Sequence, residues 1–472
     1  MVIARTRDLY PLGGGPGINA RTVVSRQHSL SVTPTLEQVR KQVEALGAEQ
    51  PKLADARLTL AREYGFSSWP QLRAYVKRVE AHGPGLQHPY REDVDYYEGR
   101  AMGLLASAQD GTVSALATLR RWESPLTPRG ARAAVAREHG FSSWAALRRH
   151  VGSLRERGDP FARAYRALEA QDVNGLREQL ERFPDLVAAR GTNGNDLLGM
   201  ATATCDERLV ALLLERGADP ARANVHGWTP LHQAAYSGLP LLARLLLEAG
   251  PPADVSARGD GGTPLVVALF WGHREVAELL AERGVFPRNL RAAAGLGRLE
   301  LIDELLRPDG TLTPEAGAHR AFYRPHSGFP AWEPSDDRQE ILDEALSWAA
   351  RNDRVEALEV LVARGAGVDA EVNRGTALTW AAASGRTQAI LRLVALGADP
   401  NRRGTFGGPE HGDGTAALHH AAEGGHLDAI EALLDAGADP TVRDALYNGT
   451  PADWAEHFAR TEARDLLRKR QS

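Results

Sequence analysis

Between residues 227 and 250 the chain reads GWTPLHQAAYSGLPLLARLLLEAG, and its apolar positions follow a helical period twice over. Thr229-Pro230 supplies an N-cap residue followed by proline at the first helical position, so a helix begins there. Gly238 stops it. Leu242, Leu245 and Leu246 then mark the apolar face of a second helix, and Gly250 follows it at the position where a left-handed conformation costs least. The pattern therefore predicts two short antiparallel helices. Such a pair exposes an apolar face that only a neighbouring copy can cover.

Copies are present. The leucine of the capped first helix falls at Leu231, Leu265, Leu378 and Leu418, with Ala452 in the equivalent place, and weaker versions lie at Tyr165, Leu198, Leu290 and Leu346. Most intervals sit near a period of roughly 33 residues. The step from Leu265 to Leu290 is short, which predicts the loss of a connecting loop. The steps from Leu290 to Leu346 and from Leu378 to Leu418 are long, which predicts insertions at about 307–338 and 401–414. A Gly-Ala-Asp-Pro turn recurs at Gly217–Pro220, Gly397–Pro400 and Gly437–Pro440. These motifs resemble the ankyrin repeat over about two thirds of the chain, from Phe161 onward. Only Thr229–His232 keeps the TPLH motif intact; Val266, Thr379 and Asp453 replace the histidine elsewhere. The resemblance implies an all-α ankyrin-repeat solenoid of about nine repeats with finger loops, preceded by small helical modules. It also implies a protein–protein interaction scaffold.

The N-terminal third follows another pattern. ARLTLAREYGFSSWPQLRAYV (Ala56–Val76) and ARAAVAREHGFSSWAALRRHV (Ala131–Val151) are copies of one helix, glycine stop, serine cap, helix unit. Helices at Leu36–Leu46 and Arg100–Trp122 are expected to complete the two modules, with Phe66, Trp69, Phe141 and Trp144 pinning them. This pattern resembles a module found ahead of bacterial ankyrin arrays. The expected organisation is a flexible segment at 1–32, modules at 33–82 and 83–158, and the repeat array at 159–472. The arginines around the second module, among them Arg120, Arg121, Arg148 and Arg149, leave nucleic-acid binding as an alternative. A polar cap on the solenoid is the reading preferred.

Composition removes several classes. The 472 residues carry a formal charge of −5, so no global field selects nucleic acid or a membrane surface. Cys205 is the single cysteine, which excludes an intrachain disulfide framework and suits a reducing compartment. The first residues lack the apolar run of a signal peptide, and no segment approaches the roughly 18 apolar residues of a membrane span. With arginine far outnumbering lysine, the expectation is a bacterial, cytoplasmic protein.

Chemistry is sparse. No Walker loop, HExxH, GxSxG or dinucleotide fingerprint occurs. His232, His273, His419 and His426 occupy repeat positions and are expected to hydrogen-bond between repeat loops; Cys205 ends a first helix and is read as inert. No catalytic residue, metal ligand or cofactor is assigned, and the protein is not expected to be an enzyme. The alternative is an enzyme or metal site in the two insertions, where His319, His326, Glu333, Asp336, Asp337, Glu410, His411 and Asp413 lie. A protein or peptide partner is expected on the first helices and fingers. Trp228, Tyr236, Phe270, Trp271, Tyr323, Trp332, Phe406 and His411 are the candidate anchors, since aromatic residues dominate interface energetics. Trp348 and Trp380, two residues past the marker leucine, are expected to pack between repeats instead. Some aromatics of the first insertion are alternatively expected to fold back and repair the irregular repeat at Leu290.

Overall fold

A computed structural model describes residues 93–109, 113–139, 141–153, 160–189, 195–224, 227–257, 261–284, 286–321, 334–372, 374–406 and 413–471, with isolated positions between 41 and 69. The described residues are helical, with isolated bridges in place of strands. The chain divides into two compact units, residues 16–258 and 259–472.

The first unit opens with a small bundle: α1 (Val94–Gln109), α2 (Val113–Arg121), α3 (Pro128–Glu138) and α4 (Trp144–Ser153). The single helix expected over Arg100–Trp122 is two helices, α1 and α2. The intervening sequence is Asp110-Gly111-Thr112, in which glycine is a poor helix former. Tyr97, Ala101, Leu105, Val135, Leu147 and Val151 form the bundle core, with Phe141 and Trp144 packed against it. Thr127 and Ser143 cap α3 and α4, their side-chain oxygens accepting from the backbone N–H groups of Gly130 and Ala146. Leu36–Leu46, Phe66 and most of the first module copy lie outside the described residues.

Three helix pairs follow: α5 (Pro160–Glu169) with α6 (Val173–Arg182), α7 (Leu197–Thr204) with α8 (Glu207–Glu215), and α9 (Pro230–Ser237) with α10 (Pro240–Glu248). First helix packs on first helix and second on second. Cys205 ends α7 in a left-handed conformation (φ 59°) and is buried. Thr229 caps α9, and His232 completes a capping box with Nδ1 2.7 Å from the threonine Oγ1.

The second unit holds six pairs: α11 (Pro264–Phe270) with α12 (Arg274–Ala281), α13 (Leu290–Leu296) with α14 (Leu299–Leu305), α15 (Arg338–Arg351) with α16 (Val355–Ala363), α17 (Ala377–Ala383) with α18 (Thr387–Ala395), α19 (Ala417–Gly424) with α20 (Leu427–Asp435), and α21 (Pro451–His457) with α22 (Thr461–Gln471). The shortened connection is visible, since α13 starts eight residues after α12 ends (282–289). The interior from Leu290 to Leu467 is leucine, isoleucine and alanine, as stacked faces require.

A recurring polar rung ties these repeats. Before four of the second helices, the residue at the N-cap reaches back to a carbonyl at the end of the first helix of the preceding repeat. Arg354 Nε donates to Gly295 O (3.0 Å), Arg386 Nε to Arg351 O (3.0 Å) and Arg460 Nε to Glu423 O (2.8 Å). His426 Nε2 lies 3.2 Å from Ala383 O. These carbonyls end their helices without an intrahelical partner, so each rung satisfies a group that would otherwise lack one. His419 reaches the other way, with Nε2 3.1 Å from Gly449 O of the next repeat.

Candidate functional site

The variable face of the first helices in residues 259–472 carries the site. Positions two and five residues after each marker leucine lie three apart and share one face of a helix. At the first stand Val267, Ala292, Trp348, Trp380, His420 and Trp454; at the second stand Phe270, Gly295, Arg351, Ala383, Glu423 and His457. The structure joins most of them into one row. Phe270 lies 5.5 Å from Trp380 and 6.2 Å from Trp348, ring to ring. The Arg351 guanidinium sits 3.6 Å from the Trp380 ring centroid, 4.9 Å from Phe270 and 5.2 Å from Trp348. That is a filled cation–π box. Arg351 also donates to Phe270 O at 3.3 Å.

The row continues through the second insertion. Phe406 stacks 4.8 Å from Trp380 and 4.1 Å from His420, and Trp454 meets His420 edge-on at 5.5 Å. The base of this insertion is closed by an antiparallel bridge between Gly404 and Thr415. Beneath Phe406, His420 Nε2 lies 2.9 Å from Thr415 Oγ1, and His420 Nδ1 lies 3.3 Å from Glu423 Oε2. Burial lowers His420 to about 3 and pushes Glu423 well above its usual value. Burial thus disfavours the charged form of both groups. The imidazole thus bridges the Glu423 carboxyl group and the Thr415 hydroxyl. Glu423 Oε1 is buried without a hydrogen-bond partner.

The first insertion enters by charge. Its base is closed by a bridge between Leu306 and Leu312. Arg291, at the histidine position of the degenerate repeat, is buried and donates to Glu344 Oε1 (2.9 Å) and to Arg320 O (3.1 Å). Arg320, from the insertion, bonds the other Glu344 oxygen, Glu340 Oε1 (2.8 Å) and Ser335 O (2.7 Å). Burial opposes the Arg320 charge, but Glu344 and Glu340 outweigh it and its pKa is raised. Ala316 is fully buried in the repeat core, and Asn289 Nδ2 donates to Ala318 O at 2.8 Å. Gly261 adopts φ +76°, and a Cβ there would stand 2.0 Å from His319 O, so only glycine lets the insertion lie this close. The described part of this insertion does repair the Leu290 repeat. It does so through Ala316, His319 and Arg320; the aromatic residues of the insertion lie outside the described residues.

Of the candidate anchors, Phe270 and Phe406 are buried within the row, and half-buried Trp271 lies 5.1 Å from Phe270. Trp228 and Tyr236 meet edge to face at 5.9 Å in the first unit; Trp228 is buried against His232 and Tyr236 is half-buried. Tyr323, Trp332 and His411 lie outside the described residues, as do His326, Glu333 and Glu410. Trp348 and Trp380 are buried between repeats as expected, yet they also build the row. Arg291, Arg320, Glu344, Arg351 and Glu423 were not singled out from sequence. The shared offset from the marker leucine was the signal for Arg351 and Glu423. Among the described residues no group of side chains could hold a metal ion, and no helix is long and apolar enough to cross a membrane.

Fold and row together define a helical repeat protein whose variable positions face one side of the stack. Sequence models described as "Ankyrin repeats (3 copies)" match residues 183–289 and 290–404, and one described as "Ankyrin repeat" matches 413–445. More than half of the chain is covered, and the chain belongs to the ankyrin-repeat family. The relatives it matches are similar over a part of the chain. SMC5-SMC6 complex localization factor protein 1 of Bos taurus is 38% identical over 78 residues, 16% of this chain and 7% of that protein. The E3 ubiquitin-protein ligase Ufd4 of Drosophila melanogaster is 36% identical over 120 residues, 25% of this chain and 4% of that protein. Protein PhlB of Serratia liquefaciens is 34% identical over 109 residues, 23% of this chain and 47% of that protein. The chain thus spans less than half the length of each. Ankyrin repeats are generally protein-interaction modules without catalytic chemistry of their own.

Proposed function

We propose that this protein is a non-catalytic scaffold that recognises a protein or peptide on its first-helix and finger-loop surface. One observation carries the reading: aromatic side chains and an arginine recur at these offsets in five of the six first helices of residues 259–472, all but α13, while leucine, isoleucine and alanine serve the stack interior. Stacking does not require tryptophan and arginine at those offsets; interface hot spots are enriched in them. Half-buried Trp271 and Tyr236 are the exposed ends of this chemistry, and Tyr323, Trp332 and His411 extend it by sequence. The N-terminal modules serve as the polar cap of the array.

Affinity capture from the native cell extract tests this. Trp271→Ala and Tyr236→Ala remove half-buried rings and leave the helical stack intact. Each should weaken capture of the same partner by tenfold or more. Undiminished capture by the double variant, or a turnover activity that survives without any captured partner, would sink the reading.

A further inference from the structure

Phe406 does not belong to the repeat that contains it. It arrives from the second insertion and fills a slot whose walls are Trp380 of α17 and His420 of α19, leaving only 3% of its surface exposed. The floor of the slot is shaped for a ring. Gly375 holds φ +72°, and a Cβ there would stand 3.1 Å from the Phe406 ring. The residue before the ring is read as well. Thr405 donates its backbone N–H to Glu371 Oε1 at 2.8 Å, and its hydroxyl donates to the same oxygen. Gly375 N–H, 3.2 Å away, helps fix that carboxylate. The dipeptide is thus recognised three ways: by a main-chain amide, a hydroxyl and an aromatic ring.

The bonds that keep it there lie at the surface. Glu371 is exposed, Thr405 is half-buried, and exposed Arg403 donates to Gly414 O and Arg443 O at 2.9 and 2.7 Å. Exposed polar contacts exchange readily with water and contribute little net free energy. We propose that the Trp380–His420 slot is a docking site for a peptide bearing a Ser/Thr-Phe pair, and that Thr405-Phe406 occupies it in cis. The partner supplies an unphosphorylated hydroxyl residue followed by phenylalanine, because Glu371 accepts hydrogen bonds and repels an anion at the first position. The intramolecular pair competes at the high effective concentration of a short tether, so the site opens only to a partner that displaces it. The inference rests on the scaffold reading and specifies one of its surfaces.

The test uses the full chain and a fluorescein-labelled peptide, Arg-Arg-Gly-Thr-Phe-amide, the sequence of residues 402–406. Fluorescence anisotropy should show at least tenfold tighter binding to Phe406→Ala than to the native chain. Peptides ending in Thr-Ala or Asp-Phe should lose at least tenfold, and Glu371→Gln in the Phe406→Ala background should weaken binding several-fold. Should Phe406→Ala lose its helical circular dichroism, Thr405→Ala serves instead; it keeps the ring and loosens its tether, and should bind several-fold better than native. No gain in the folded variant, equal binding by the native chain, or indifference to the phenylalanine would each overturn the proposal. Capture through Trp271 and Tyr236 is measured separately, so an undocked peptide leaves the scaffold reading standing, and failed capture with a docked peptide leaves the slot standing.

Discussion

The first insertion is held to the array by charge, and the second by an aromatic ring. Arg291, Arg320 and Glu344 are each at most 3% exposed, and the carboxylate of Glu344 is shared between two guanidinium groups. Phe406 is equally buried, but it packs between two rings and is tethered by exposed polar contacts. Buried ions have one acceptable arrangement, because each must keep its counter-charge. A ring in an aromatic slot can be exchanged for another ring. The two insertions therefore differ in role. The first completes a degenerate repeat, and the second covers a surface that another chain is able to use.

The largest expected effect breaks the charged side of this comparison. Glu344→Ala leaves Arg291 buried without a carboxylate and Arg320 with Glu340 alone, and should lower the stability of residues 259–472 by about 3–5 kcal/mol. Urea unfolding followed by circular dichroism measures it. A loss below about 1 kcal/mol would mean that water reaches the triad and that the first insertion is not locked. Next comes Phe406→Ala, which should cost about 3 kcal/mol, the lower part of the range for a buried phenylalanine. Its cost should stay local to the second insertion, leaving hydrogen exchange in α13 and α15 unchanged. Protection lost at both insertions together would erase the distinction between them.

Sequence made one half of this comparison more legible than the other. The marker residues Leu231, Leu265, Leu290, Leu346, Leu378 and Leu418 are all at most 1% exposed, because a stack interior imposes a strict apolar period. The short connection before Leu290 and both insertions were also readable as departures from that period. The triad was not. Arg291 and Glu344 are separated by 53 positions, and a charged residue in a helix pattern reads as solvated until the fold brings its partner. Glu423 was hidden for the same reason, since its raised pKa comes from burial in the folded stack. Arg100–Trp122 was read as one helix because a local Asp-Gly-Thr competes weakly with a long apolar period.

The acid beneath Phe406 sharpens the comparison through pH. The folded-state pKa of Glu423 is raised above its ordinary value, so the protonated form stabilises the fold at low pH and that contribution is lost as pH rises. Glu423→Gln keeps the neutral shape and cannot ionise. It should stabilise residues 259–472 by about 1–2 kcal/mol at pH 8, with the gain vanishing below the usual carboxyl range. The buried histidines act in the opposite direction. His419, His420 and His426 are lowered to about 4, 3 and 4, so stability falls as pH drops from their ordinary 6.5 toward those values, in native chain and variant alike. Thermal melts from pH 4 to 9 separate the two limbs. A variant parallel to the native chain above pH 7 would show that the carboxyl is hydrated and that Phe406 does not seal it.

The smallest expected effect falls on the tether. Thr405→Ala removes the hydroxyl bond to Glu371 but keeps the main-chain one, and half-exposed hydrogen bonds of this kind contribute about 0.5–1 kcal/mol. Global melting should barely move. Amide hydrogen exchange at residue 405 should nevertheless quicken several-fold, because the bond that remains is the one through its own N–H. Glu371→Ala removes both bonds and should quicken it further, whereas Glu371→Gln keeps a carbonyl acceptor and should fall between the two. The first insertion supplies the internal control, since exchange at Ala316, whose N–H donates to Thr313 O at 3.1 Å within the repeat core, should not change in any of the three. Equal exchange at residue 405 in all of them would mean that Phe406 alone holds the second insertion, and the tether would then have no part in how readily the slot is vacated.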